Sequence, residues 1–235
     1  MTSAFHGRSS PEQPAVVCVI PALDSATTLP AVVTALRRTL PHATLVVVDD
    51  GSRDDTRRIA QKTCDTVLHF EQNRGKGAAL RLGIASAVAS GASVVLTIDA
   101  DGQHDPTYAP ALIQALDDAD IAIGARRRAT TLMPLRRRAT NFLASSAIGA
   151  ITGAHIPDSQ SGFRAIRRSV LDCVVGAGDR YEYETDFLIC AGMAGFRIAA
   201  VPISTKYGGA SHFRSFSDSA RIVRTIWRHR TGAFR

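Results

Sequence analysis

The sequence predicts a single Rossmann-like α/β domain, a mostly parallel central sheet flanked by helices, on three observations. Short apolar, β-branched runs alternate with segments of helical spacing through about the first hundred residues. Each run ends in turn chemistry rich in Asp, Gly and Ser, as buried strands do where they leave a sheet. No flexible linker, internal repeat or low-complexity tract divides the 235 residues.

Ala15 to Ile20 is the first run, stopped at Pro21, and Leu45 to Val48 is the second, stopped at Asp49-Asp50-Gly51-Ser52. Between them Thr28 to Leu40 repeats its apolar residues at helical spacing, and Asp54 to Lys62 follows as a second helix with Ser52 or Asp54 as its cap. A third unit runs from Val67-Leu68-His69-Phe70 through a Gly75-Lys76-Gly77 turn into the helix Ala78 to Ser90. Ser93 to Ile98 then has the character of a central parallel strand buried on both faces. A second half opens with the strand Ile121-Ala122-Ile123-Gly124 and contains an apolar, small-residue helix over Asn141 to Thr152.

With 45% hydrophobic and 21% charged residues, the chain can bury a substantial core and reads as an ordinary globular protein. A net charge of +7 implies an anionic partner, which could be nucleic acid, a membrane surface or a phosphorylated substrate. Aromatic content of 6% without interleaved basic residues argues against a single-strand nucleic-acid platform, so no nucleic acid is expected. Cys18, Cys64, Cys173 and Cys190 show no CxxC spacing and read as reduced core residues of a cytoplasmic protein. Residues 1–14 read as a short disordered leader, not a signal peptide, and no segment reaches the roughly 18 to 20 apolar residues of a membrane span.

The opening candidate site is the stretch LTIDADGQHDP, Leu96 to Pro106, where an apolar strand ends in carboxylates. Ligands of open α/β folds bind at that edge of the sheet. Asp99 and Asp101, two residues apart, can converge on one hard divalent cation, with Gln103 or His104 as a further ligand. A lone DxD also arises by chance in loops. Three more strand ends project onto the same edge: Pro21-Ala22-Leu23-Asp24, Asp49 to Thr56, and Asn73-Arg74-Gly75-Lys76-Gly77.

Taken together, these stretches resemble the inverting family 2 glycosyltransferases, which have a nucleotide-binding half and a DxD metal motif. Asp158-Ser159-Gln160-Ser161-Gly162-Phe163-Arg164 looks like the D-x-x-S-G-F motif of the dolichyl-phosphate mannosyl- and glucosyltransferase branch. Tyr181 to Asp186, followed by Val201-Pro202-Ile203, is similar to the later region of that branch. The resemblance implies a GT-A fold over residues 15–217, with a nucleotide-sugar half (15–104) and an acceptor half (105–217). It implies Mg²⁺ or Mn²⁺, a GDP- or UDP-hexose donor and a polyprenyl phosphate acceptor.

By the same resemblance, Pro21, Asp24, Asp49, Asp50, Lys76 and Asp99 would bind the nucleotide sugar, and Asp99, Asp101 and Gln103 would hold the metal against the diphosphate. The acceptor-phosphate arginines would be Arg126, in a G-x-R turn, and Arg137, in a P-L-R-R segment; Asn141 stands where that branch often has a serine. Asp101, Arg126 and Arg137 would thus carry the catalysis. A divalent cation stabilises charge on the leaving diphosphate, and a phosphate acceptor is already anionic and needs no general base. It needs cationic forks, which arginine supplies.

Arg126-Arg127-Arg128 and Arg136-Arg137-Arg138 flank Met133-Pro134-Leu135, a combination suited to a lipid phosphate at a membrane surface, or equally to a solvated basic face. Residues 218–235 read as a basic amphipathic segment in which Ile222, Val223, Ile226 and Trp227 share one helical face, suited to an anionic lipid surface or equally to packing on the domain with its arginines in solvent. Association with the cytoplasmic membrane face would then be peripheral, or supplied by a membrane partner. The alternative keeps the donor site and transfers to a soluble hydroxyl, for which Glu182, Glu184 or Asp186 would have to supply a base.

Overall fold

The computed structural model describes residues 15–126, 145–153, 156, 158–205 and 215–231. Seven strands form one sheet: β1 (Val16–Ala22), β2 (Thr44–Asp49), β3 (Thr66–His69), β4 (Val94–Thr97), β5 (Ile121–Arg126), β6 (Arg164–Arg167) and β7 (Ile198–Ile203). Their order is β3-β2-β1-β4-β6-β5-β7. Pairings are parallel except those of β6, which runs antiparallel to both β4 and β5. The first half is therefore the 3-2-1-4 arrangement, whose strand order reverses between β1 and β4 and opens a crevice beyond their carboxyl ends.

Period-two alternation on β1 decides which helices cover which face. Cys18, Ile20 and Ala22 join Leu45, Val47, Leu96 and Ile98 in one core layer, under α1 (Leu29–Thr39), α2 (Thr56–Thr63) and α4 (Ala109–Gln114). Val17 and Val19 point the other way, to Val46, Val95, Leu80 and Ala87, beneath α3 (Lys76–Ala89). A third cluster packs Ile121, Ile123 and Ile166 against Ile148 of α5, helical over residues 145–152, Val170 of α6 (Arg168–Cys173) and Phe187, Leu188 and Ile189 of α7 (Glu182–Met193).

The small residues of α3 let it lie directly on the sheet. A Cβ at Gly83 would collide with Val19 Cγ1 and stand 2.9 Å from Val48 Cγ2. The helix starts at Lys76, two residues earlier than the spacing predicts, because Gly75 turns the chain at φ 106° immediately before it. The helix expected over Asp54 to Lys62 begins at Thr56, with Asp55 rather than Ser52 or Asp54 at its N-cap; Asp54 instead accepts from the Thr56 amide at 3.0 Å in the turn that leads into it.

Two expectations are corrected. In the C-terminal helix α8 (Ser215–Thr231), the side that carries Ile222, Val223, Ile226 and Trp227 is only partly covered. Ile222 is buried and Ile226 packs, partly buried, against the cluster under α7, whereas Val223 and Trp227 are 61% and 62% exposed. The buried stripe of α8 follows residues 222, 225 and 229, and one position further along the chain is rotated about 100° away from it. Among the cysteines only Cys18 is fully buried; Cys173 is exposed. The leader over residues 1–14, and Met133-Pro134-Leu135 with its flanking arginines from Arg127 onward, lie outside the described residues. No helix among the described residues is long and apolar enough to cross a membrane.

The Gly83 contact yields a direct prediction. Gly83→Val should lower unfolding free energy by about 1–3 kcal/mol in urea titrations through overpacking against Val19 and Val48. A neutral substitution would mean that α3 does not sit this close to the sheet.

Candidate active site

The loops leaving β1, β2 and β3 are laced together at the carboxyl edge by their own polar groups. Asp24 adopts a left-handed φ of 46°, donates its amide to Ser52 Oγ at 2.9 Å and accepts from the Arg53 amide at 2.8 Å through Oδ1. The Ser25 amide donates to Thr56 Oγ1 at 2.7 Å, and the Ala26 amide to Asp54 Oδ2 at 3.0 Å. Asp49 Oδ1 accepts from the Ser52 amide at 3.1 Å. Pro21 lies within β1, opposite Val48 on β2.

Asp50 is buried, and its two oxygens accept from the Arg74 and Gly75 amides at 2.7 and 2.9 Å. Burial raises the pKa of this carboxyl, with the two amides opposing. Asp50 thus anchors the Asn73–Gly77 turn, which delivers Lys76 to the site.

Lys76 is the centre of the arrangement. Its Nζ lies 2.7 Å from Asp99 Oδ1 and 2.9 Å from Glu184 Oε2. Burial alone would lower the pKa of this ammonium, but Asp99 and Glu184 outweigh it and the net shift is upward. Asp99 shows the mirror effect: burial works to raise its pKa, while Lys76, His104 and Arg164 bring it below the usual carboxylate range. Gly162 of the S-G-F stretch passes over the pair, where a Cβ would stand 2.6 Å from Asp99 Oδ2 and 2.8 Å from Lys76 Nζ. Thr97 Oγ1 holds this backbone by donating to Gly162 O at 2.9 Å.

Glu184 is tied in turn to Arg164, a fully buried guanidinium. Arg164 donates to the carbonyls of Ser161, Glu184 and Ser159 at 2.8, 2.9 and 2.9 Å, and its Nη2 lies 3.8 Å from Glu184 Oε1. Arg126, at the end of β5, forms a fork with buried Asp158: Nε donates to Oδ2 at 2.6 Å and Nη2 to Oδ1 at 2.8 Å. Asp101 Oδ1 accepts from the Gln103 amide at 2.9 Å across Gly102. His104 is buried beside Phe163, with ring centroids 5.7 Å apart, and its Nδ1 finds no hydrogen-bond partner.

The structure therefore places Asp24, Asp49, Asp50, Lys76, Asp99, Asp101 and Gln103 on the edge beyond β1 to β4, with Arg126 held by Asp158. Arg137 and Asn141 lie outside the described residues. The Lys76–Glu184 and Arg126–Asp158 pairs were missed from sequence: both partners sit in motifs already singled out, but nothing in their spacing says which charges meet. Asp99, Asp101 and Gln103 offer oxygen donors only, a set that suits a hard cation such as Mg²⁺ or Mn²⁺. The unpartnered nitrogen of His104 beside them is one more polar atom awaiting a ligand.

Residues 17–175 match the family described as Glycosyl transferase family 2. The chain belongs to that family. An undecaprenyl-phosphate mannosyltransferase of Micrococcus luteus is 31% identical over 202 residues, covering 80% of this chain and 82% of that protein. A polyprenol monophosphomannose synthase of Mycolicibacterium smegmatis is 32% identical over 199 residues, covering 79% of this chain and 75% of that protein. Among solved structures, glucosyl-3-phosphoglycerate synthase from Mycobacterium tuberculosis, in complex with Mn²⁺, UDP and phosphoglyceric acid, superposes with a TM-score of 0.72 at 22% identity, over 92% of this chain and 78% of that one. This likeness fixes the fold as the GT-A type. The protein is thus a glycosyltransferase of family 2, similar to polyprenyl-phosphate mannosyltransferases.

His104 makes the site acid-sensitive. Burial, against the pull of Asp99, lowers its pKa from 6.5 to about 4. Between those values the unfolded chain binds the extra proton, so acid favours unfolding there. Chelator-treated protein should lose up to about 3 kcal/mol of stability as pH falls from roughly 6.5 to 4, and His104→Gln should flatten that slope in urea titrations. An identical slope in the variant would place the proton elsewhere.

Proposed function

We propose that the protein moves a hexose from a GDP- or UDP-sugar to a polyprenyl phosphate with inversion, using Mg²⁺ or Mn²⁺. The observation that carries the acceptor class is that the carboxylates nearest Lys76 and Arg126 are committed. Asp99 and Glu184 hold Lys76, Asp158 holds Arg126, and Asp50 holds backbone amides. A carboxylate bound to a cation is a poor proton acceptor, which disfavours a hydroxyl acceptor that must be deprotonated. A phosphate monoester attacks as an anion. The names of the two relatives, an undecaprenyl-phosphate mannosyltransferase and a polyprenol monophosphomannose synthase, support the same acceptor chemistry.

In this reading Pro21, Asp24 and Asp49 line the nucleoside pocket, and Asp50 works behind them as the anchor of the Lys76 turn. Asp99, Asp101 and Gln103 hold the cation, which supplies Lewis-acid stabilisation of the departing diphosphate. Lys76, already inside the site, adds a second positive charge toward the diphosphate. Arg126, Arg137 and Asn141 receive the acceptor phosphate, with Asp158 fixing the plane of the Arg126 guanidinium so that its donors meet the phosphate with little loss of rotamer freedom. With a lipid acceptor, the enzyme would work peripherally at the cytoplasmic membrane face, or with a membrane partner.

Incubation with GDP- and UDP-sugars and undecaprenyl or dolichyl phosphate, followed by mass spectrometry, should detect a polyprenyl-phosphate hexose that requires the divalent cation. Asp101→Asn should reduce kcat by roughly 10²- to 10³-fold at unchanged Tm. Arg126→Ala should raise KM for the lipid phosphate more than KM for the donor. Sugar transferred only to hydroxyl acceptors, or full turnover by Asp101→Asn, would overturn the reading.

A further inference from the structure

On the far side of α7 from Glu184, a second group of side chains converges. Residues two apart on a helix point about 200° away from each other, so Glu184 faces the active site while Asp186 faces α8. Asp186 is buried; its Oδ1 lies 2.7 Å from Nε2 of His229 on α8, and its Oδ2 accepts from the Ala177 amide at 2.7 Å. Cys190, one turn further along α7, brings its Sγ to 3.8 Å from Asp186 Oδ2. One ligand atom each from Asp186, Cys190 and His229 lie within 4.8 Å of one another, and among the described residues no other group of three His, Cys, Asp or Glu side chains does so.

We propose that Asp186, Cys190 and His229 bind a divalent cation of the zinc class, which clamps α8 onto α7. The donor set is one carboxylate, one thiol and one imidazole, a mixed O, S and N set that suits zinc and is foreign to Mg²⁺. Three protein ligands leave the fourth tetrahedral position to water, which the half-buried Cys190 and His229 admit from the surface. The 2.7 Å between Asp186 Oδ1 and His229 Nε2 is a hydrogen-bond length. Two ligands each about 2.0–2.1 Å from a tetrahedral ion stand roughly 3.3 Å apart, so loading needs a separation of about half an ångström, within the reach of side-chain torsions. Binding exchanges the direct Asp–His bond for two metal–ligand bonds and a metal–sulfur bond; the Cys190 thiol proton leaves to solvent, and the proton that His229 Nε2 shares with Asp186 passes to Nδ1 or to solvent, so that His229 ligates through Nε2 as the neutral imidazole. The Ala177 amide stays on Oδ2 and orients the carboxylate, leaving Oδ1 for the ion.

This site is independent of the donor chemistry, and cobalt separates the two spectroscopically. Tag-free, chelator-stripped protein titrated with Co²⁺ should develop a thiolate-to-cobalt charge-transfer band with four-coordinate visible bands, and Zn²⁺ should bleach them. Cys190→Ser should abolish the charge-transfer band, His229→Ala should weaken Co²⁺ uptake at this site at least about tenfold, and Asp101→Asn should leave the band intact. Zn²⁺ should also slow proteolytic cleavage within α8 of the wild type and not of Cys190→Ser. Absence of the band, or its survival in Cys190→Ser, would reduce the cluster to an Asp–His ion pair and overturn the proposal.

Discussion

The structure of this site depends on one buried ammonium. Lys76 Nζ touches Asp99 at the end of β4 and Glu184 on α7 at once, so a single charge joins the start of α3, the sheet edge and a helix of the second half. Taking two carboxylates and an ammonium out of water is costly, and the arrangement holds because each charge is met by an opposite one. Removing one member would leave an uncompensated buried charge, at a typical cost of about 3–5 kcal/mol. The remaining features follow from keeping Lys76 there: the Asp50 clamp on its turn, the glycine at 162 that leaves room above it, and Arg164 buttressing Glu184.

That constraint also explains why the site is built across a change of strand direction. Antiparallel β6 carries Arg164 into the sheet beside β4, in register with Thr97. A crossover strand of the usual parallel kind would bring its opposite end to this edge. Arg126 on β5 and Asp158, in the segment before β6, pair on the other side of the same strand, so the two halves of the sheet share one wall.

Much of the first half was legible in sequence, because its strands are buried on both faces and its turns carry Asp and Gly. β2 was expected over Leu45 to Val48 and spans Thr44–Asp49; β4 was expected over Ser93 to Ile98 and spans Val94–Thr97. β6 was not legible. Its four residues, Arg-Ala-Ile-Arg, contain two arginines, and only the tertiary structure supplies the carbonyls and Glu184 that make Arg164 tolerable in a core. On α8 the sequence sets Ile222, Val223, Ile226 and Trp227 on one side, and the neighbour α7 decides which part of that side is buried. In the site, the acids after each strand could be read from position alone, because ligands gather at that edge. Their partners could not, since Lys76 with Glu184, Arg126 with Asp158 and Asp186 with His229 are meetings made by the fold.

The central claim is that Asp99, held by Lys76 beyond β4, and the acids beyond β1 and β2 form a seat for a metal-bound nucleoside diphosphate. Calorimetric binding of GDP and UDP, with and without Mn²⁺, tests it most directly. The account predicts that Mn²⁺ tightens binding of the preferred nucleotide by at least about tenfold, a coupling of roughly 1.4 kcal/mol, and that Asp99→Asn erases this linkage. Affinity indifferent to Mn²⁺, or a linkage intact in Asp99→Asn, would contradict it.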